Sequence, residues 1–234
     1  MKKILFAFAG MLALTFNRAC LRSAKLNHVW LCSCLFAALT ACNSNEPKTD
    51  AAVTTDGNAV VETIMTRTSI RQYTNQAISA DTIETLLRAG MAAPTAVNKQ
   101  PWHFVAVTSK DKLKEMAINN PNARMLEQAP LAIVVCGDMM KALEGEARES
   151  WTLDCSAATE NILLAAHALG LGAVWTALYL REERAKSTIE ALKLPDHIVP
   201  LCAIIIGHPA ENPEPKDKWN PENVSYNEFG GKAE

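Results

Sequence analysis

Residues 131–136, Leu-Ala-Ile-Val-Val-Cys, form an unbroken apolar run between Pro130 and Gly137. A short run without alternation, closed by Pro and Gly, reads as a strand buried on both faces. Such a strand needs cover on each side, and the surrounding pattern supplies it. Helices are predicted over 59–67 and over 81–92, the second with Ser79 as N-cap and Ile83, Leu86 and Leu87 as its apolar stripe. Further helices are predicted over 110–118, introduced by Ser109, over 151–169 and over 182–193. The segment after Ser156 is nearly apolar all round, which suits a central or interface helix rather than a surface one. Strands are predicted over 102–107, 172–179 and 199–206, and the Pro-rich polar stretch from Gly207 reads as an arm. The expectation is an α+β protein of mixed α/β layers, one sheet covered by helices.

Composition narrows the function classes. The 234 residues carry a net charge of −2, without the clustered basic excess that phosphate neutralisation requires, so nucleic acid is not an expected partner. The total hides an asymmetry: Lys2, Lys3, Arg18, Arg22 and Lys25 are unopposed by any acid before residue 42, leaving 18 basic against 25 acidic residues in the rest. Four of the seven cysteines also lie at or before residue 42. Cys136, Cys155 and Cys202 are too widely spaced for a disulfide framework or a metal site, and read as small buried hydrophobes. The five histidines show no metal-ligand spacing, so no metal is expected.

The amino terminus reads as an address. Met1-Lys2-Lys3 and the apolar run to Phe16 have the form of a secretory signal, too short to span a bilayer comfortably. A second apolar run over 29–41 ends in Leu39-Thr40-Ala41-Cys42, which resembles the lipobox of bacterial lipoproteins, whose cysteine is lipidated. Residues 43–58 are polar and aperiodic, as a flexible tether is. The expected organisation is therefore a signal and lipobox segment over 1–42, a tether over 43–58 and a folded body over 59–234. A cleaved soluble form or a non-functional extension is the alternative.

Three stretches of the body carry chemistry. In Arg67-Thr68-Ser69-Ile70-Arg71 an extended chain throws Arg67, Ser69 and Arg71 to one side and Ile70 inward. Two guanidinium forks and a hydroxyl suit a phosphate monoester, and Lys216 and Lys218 repeat the alternate basic spacing. In the loop Ala93-Pro94-Thr95-Ala96-Val97-Asn98-Lys99-Gln100-Pro101-Trp102, the amides of Asn98 and Gln100 offer both donors and acceptors, as reading an imide edge requires. Gly170-Leu171-Gly172-Ala173-Val174-Trp175 begins like a dinucleotide fingerprint. It follows a helix, enters a strand and has Trp175 where the third glycine belongs, so that reading fails. A tight turn remains, aiming the backbone of Trp175, Thr176 and Ala177 at a ligand.

Taken in order, with Asp154, Ala157-Ala158, Asn161 and Gly207-His208-Pro209, these strings resemble the nitroreductase-like family of FMN-dependent oxidoreductases over roughly residues 59–229. The resemblance implies a central mixed, mainly antiparallel sheet flanked by helices, in an interlocked homodimer whose two subunits share each flavin site. It assigns Arg67, Thr68, Ser69, Arg71, Lys216 and Lys218 to the FMN phosphate and ribityl chain. It places Thr95, Asn98 and Gln100 along the flavin, Trp175, Thr176 and Ala177 at its ring, and Arg124 near the pyrimidine.

The implied activity passes hydride from NAD(P)H through flavin N5 to nitroaromatics, quinones or similar flat acceptors, with no catalytic side chain required. Reductive dehalogenation and flavin fragmentation are alternatives on the same fold, and a non-catalytic surface lipoprotein is an alternative from another class. Lipidation of Cys42 would anchor the domain on the periplasmic or surface side of a membrane, where nicotinamide donors are scarce. A misread signal leaves it in the cytoplasm.

Overall fold

The structure is a computed structural model and describes residues 57–118 and 120–233. Cys42, the expected signal segment and nearly all of the expected tether lie outside the described residues. Among the described residues five α-helices, α1 Gly57–Thr66, α2 Ala80–Met91, α3 Lys110–Ala117, α4 Ser150–Ala168 and α5 Glu182–Leu192, accompany four strands. These are β1 Trp102–Val107, β2 Leu131–Asp138, β3 Gly172–Ala177 and β4 Ile198–Gly207. They form one sheet in the order β1-β2-β4-β3, with every pairing antiparallel. The mixed element expected of the sheet is the isolated parallel bridge of Ser69 with Ala173. Among the described residues no helix is long and apolar enough to cross a membrane.

Local chemistry explains where the elements begin. Ser79 accepts a hydrogen bond from the Thr82 amide at the start of α2, and Ser109 does the same for Lys112 at α3. Each satisfies an amide that has no partner within the helix. At the end of α4, Gly170 takes φ +73°, the Leu171 amide reaches the Ala166 carbonyl at 2.8 Å and the Gly170 amide reaches that of His167. This paired pattern stops the helix and turns the chain into β3 without steric cost, because glycine has no Cβ. Beyond Ala177 the amides of Leu178 and Tyr179 both donate to the Leu201 carbonyl, which curls the chain out of the sheet and ends β3 two residues before the predicted limit.

The run at 131–136 occupies the middle of the sheet, and its alternation divides the core in two. Leu131, Ile133 and Val135 pack with Leu86 of α2 and with Trp151, Cys155 and Ile162 of α4. Ala132, Val134 and Cys136 face the other way, toward Leu113 and Met116 of α3 and Ala185 and Ala191 of α5. The result is a helix–sheet–helix arrangement in which α4 is the central helix that its sequence predicted. Cys136, Cys155 and Cys202 are free and buried. Burial pushes the Cys136 and Cys202 thiols up to about 12 and raises that of Cys155, so all three behave as small hydrophobes.

Candidate functional site

The basic string at 67–71 leaves the end of α1 and lies along the outer edge of β3. Its register is fixed by Ile70, which is buried and donates its amide to the Ala173 carbonyl at 3.0 Å. Gly172 makes room for this contact, since a Cβ there would lie 2.6 Å from Ile70 Cγ2. With Ile70 inward, Arg67, Thr68, Ser69 and Arg71 all line one cleft of about 700 Å³, together with Lys216 and Lys218 from the carboxyl-terminal arm. Alternate spacing in two separate strings thus converges on one cationic wall. Its carboxylates are Glu160, Glu214 and Asp217. Glu160 pairs with Arg67 at 3.4 Å, whereas Arg71, Lys216 and Lys218 have no carboxylate partner among the described residues.

Backbone pairing brings the arm to this wall. Tyr73 bridges Pro209, the Thr74 amide donates to the His208 carbonyl at 2.9 Å, and the Ala210 amide donates to that of Gln72. Glu211 then accepts from the amides of both Arg71 and Gln72 and from the Gln72 side chain. The Tyr73 hydroxyl, buried and raised in pKa mainly by desolvation, donates to the Ile70 and Ile205 carbonyls. The string and the arm are one braced unit.

Arg71 also lines a second cleft of about 420 Å³, bounded by Trp175, Thr176 and Ala177 of β3, by Asn120, Asn122 and Met125, and by Arg184 of α5. Because Ala173 turns its carbonyl outward to Ile70, alternation along an antiparallel strand turns the backbone groups of Trp175 and Ala177 to the same open edge. Thr176 faces β4 instead, and its hydroxyl donates to the Ala203 carbonyl at 2.8 Å. The Asn120 side chain is buried and its Oδ1 has no hydrogen-bond partner among the described residues, an expensive state for an acceptor. Sequence reasoning missed Asn120 and Arg184. Arg124, which it named, lies exposed on the turn over 121–127, outside the residues lining either cleft.

Thr95, Asn98 and Gln100 stand apart from both clefts within the chain. Their loop holds Val97, Asn98 and Gln100 at positive φ of 44°, 57° and 50°, a conformation that costs non-glycine residues energy. Thr95 Oγ1 accepts the Gln100 amide at 3.1 Å, and Gln100 Nε2 donates to Asn98 Oδ1 at 3.0 Å. The loop is anchored by buried Asp154, whose carboxylate accepts the Ala96 amide at 2.9 Å. Asn161 donates to the Ala89 carbonyl at 3.1 Å and ties α4 to the end of α2. Asp154 therefore braces the loop and Asn161 the α2–α4 pair, and neither lines a cleft.

The sequence model of the Nitroreductase family matches residues 64–120 and 113–208. A Bacteroides thetaiotaomicron structure, provisionally named an NADH dehydrogenase/NAD(P)H nitroreductase, is 44% identical and superposes with a TM-score of 0.69, covering 74% of this chain and 99% of that one. An FMN-dependent nitroreductase from Clostridium difficile is 29% identical, TM-score 0.66, over 72% of this chain and 99% of its own. The NADPH:FMN oxidoreductase from Vibrio harveyi, solved with NAD+, is 31% identical, TM-score 0.67, over 74% and 78% respectively. The chain belongs to the Nitroreductase family.

Proposed function

We propose that the protein is a homodimeric, FMN-dependent oxidoreductase that takes hydride from NAD(P)H and reduces flat acceptors such as nitroaromatics and quinones. The observation that carries this reading is that Arg71 lines both clefts: one is lined by four cations, the other by an open strand edge. The first suits a phosphate monoester, for which Arg67, Arg71, Lys216 and Lys218 supply charge-assisted donors and Ser69 a hydroxyl. The second suits a flavin ring lying along the open edge of β3. FMN supplies the hydride chemistry when bound. The backbone of Trp175 and Ala177 offers donors along the ring, and Arg71 offers positive charge where the reduced ring is anionic.

Two features support the dimer. Thr95, Asn98 and Gln100 lie off the chain's own clefts, so their flavin role calls for a second copy. Val60, Val61, Ile64 and Met65 of α1, with Leu153, Trp219 and Phe229, are large apolar side chains left exposed by the single chain. We further infer that residues 1–42 are a signal and lipobox, with residues 43–58 tethering the domain over 59–234 to a membrane through lipidated Cys42. A soluble Cys42→Ser variant beside a membrane-bound wild type is the expected fractionation, and identical behaviour of the two would refute the anchor.

The functional reading is tested on purified protein by its visible spectrum, by mass identification of the released cofactor and by light scattering for the dimer mass. Replacing both Arg67 and Arg71 by Ala removes charge-assisted bonds worth about 1.5–3 kcal/mol each, so FMN should bind at least about tenfold more weakly. Undiminished FMN retention in that variant would sink the phosphate assignment.

A further inference from the structure

We propose that Arg184 is a specificity-determining residue that makes the second cleft prefer molecules bearing a carboxylate or phosphate group. The proposal rests on the functional reading above in placing the flavin ring along this cleft, with reacting molecules stacking on that ring at the open side that Arg184 borders.

Four observations converge on Arg184. The cleft is lined by two guanidinium groups, Arg71 and Arg184, and by no carboxylate, so it presents net positive charge to whatever enters. Arg71 borders the phosphate cleft as well, whereas Arg184 lines this cleft alone. Among the described residues Arg184 has no carboxylate partner either. Its plane is nevertheless fixed: with the Asn122 amide turned to satisfy both groups, the Asn122 oxygen accepts from Nη1 at 3.1 Å and Nη2 at 3.0 Å. A guanidinium carries five N–H donors, so two held by one amide oxygen leave Nε–H and the outer Nη–H groups. That remainder is a fork of the shape that takes a carboxylate or phosphate oxygen pair.

The position of Arg184 on its helix adds weight. It lies in the first turn of α5, where the helix dipole is unfavourable to a cation. Helix stability therefore gives no reason for an arginine there, and the side chain keeps part of its surface exposed. Asn122 takes only two of the five N–H donors, so a cation kept at an unfavourable helix start beside a cleft is explained by ligand binding.

The anionic group can belong to the acceptor, as a ring carboxylate, or to the nicotinamide donor, as its phosphates. The test is calorimetric titration of the cofactor-loaded protein with 4-nitrobenzoate against neutral 4-nitrobenzamide, and with NAD+, which cannot reduce the oxidised flavin, against oxidised nicotinamide riboside, which lacks phosphates. Wild type should favour the carboxylate- or phosphate-bearing member of at least one pair by about tenfold or more, and Arg184→Gln should abolish that preference while changing affinity for the other member less than about twofold. Arg184→Lys, which keeps charge without the fork, should fall between. Loss confined to 4-nitrobenzoate identifies the acceptor as the source, and loss confined to NAD+ identifies the nicotinamide donor. Equal wild-type affinities within both pairs, or a preference that survives Arg184→Gln, would overturn the proposal. A colourless protein without FMN would instead defeat the functional reading, which the absorbance spectrum reports independently of these ratios.

Discussion

Substituting Gly172 by Ala should loosen FMN without touching any residue assigned to bind it. The added Cβ would sit 2.6 Å from Ile70 Cγ2, 2.7 Å from its Cβ and 3.0 Å from its Cγ1. Carbon atoms settle at about 3.5–4.0 Å, so a movement of about 1 Å is required. Rotation of Ile70 cannot provide it, because the crowded Cβ is fixed to the backbone. The chain at Ile70 must move outward against the 3.0 Å bond from its amide to Ala173, taking Ser69 and Arg71 with it. Overpacking of this kind costs about 1–3 kcal/mol of stability. Pulling one charge-assisted phosphate donor out of alignment costs about 1.5–3 kcal/mol more, or about 10- to 150-fold in FMN affinity. Gly170→Ala is the control. Its Cβ meets nothing within 4 Å, yet its φ of +73° makes the substitution destabilising. Titration of apoprotein into FMN, followed by flavin fluorescence at a temperature where both variants are folded, should show a weakened Gly172→Ala and an unaltered Gly170→Ala. Affinity within about twofold of wild type for Gly172→Ala, or equal losses for both, would refute the coupling between Gly172 and the basic string.

Three further outcomes are expected. Cys136 and Cys202 titrate at about 12 when folded but near 8.5 when unfolded, so their contribution is complete below about pH 8.5 and is lost as pH rises toward 12. From pH 8 to pH 10 the two together should cost about 4 kcal/mol of unfolding free energy in denaturant titrations. The same loss in a Cys136→Ala/Cys202→Ala protein would show that the thiols are not its source. Asp154→Ala orphans the Ala96 amide under a loop with three positive-φ residues and should cost about 1–3 kcal/mol by thermal unfolding, while Asp154→Asn keeps an acceptor and should cost less. Ala at Cys136, Cys155, Cys202 or His167 should alter turnover by less than about tenfold wherever fold and FMN content persist, since an acid–base group commonly matters about 10²–10⁴-fold. A hundredfold loss with full flavin would show that a side chain takes part.

What the sequence revealed and what it concealed divide by range. Ser79 and Ser109 announced α2 and α3 because a cap bonds an amide three residues away, and the run at 131–136 announced β2 because burial on both faces leaves no polar residue to break it. The cationic wall was legible in halves, since alternate spacing is local to 67–71 and to 216–218. Asn120 and Arg184 were not legible, because nothing near them in the chain shows that the turn over 121–127 and the start of α5 meet at the edge of β3. The roles of Asp154 and Asn161 were hidden for the same reason, their partners lying 58 and 72 residues away. Nor did any residue type announce left-handed Val97 and Gln100, which tertiary bracing alone sustains.

Why the two halves of the wall meet is a matter of strand order. β3 lies at the edge, so its outer side is open to the chain leaving α1, and Ile70 docks on Ala173 near its first residue. Its inner side pairs with β4 in the register Gly172 to Gly207, so the last residue of β4 emerges at that same end. The arm leaving Gly207 pairs at once with residues 72–74, and Glu211 closes on the amides of Arg71 and Gln72. Lys216 follows five residues later, a span that an extended chain covers in at most about 18 Å, so it cannot stray far from the string that Glu211 holds. Exchanging β3 and β4 in the sheet would bury the edge on which Ile70 docks and leave the two basic strings without a common wall. The phosphate cradle is therefore a property of the topology before it is a property of any one arginine or lysine.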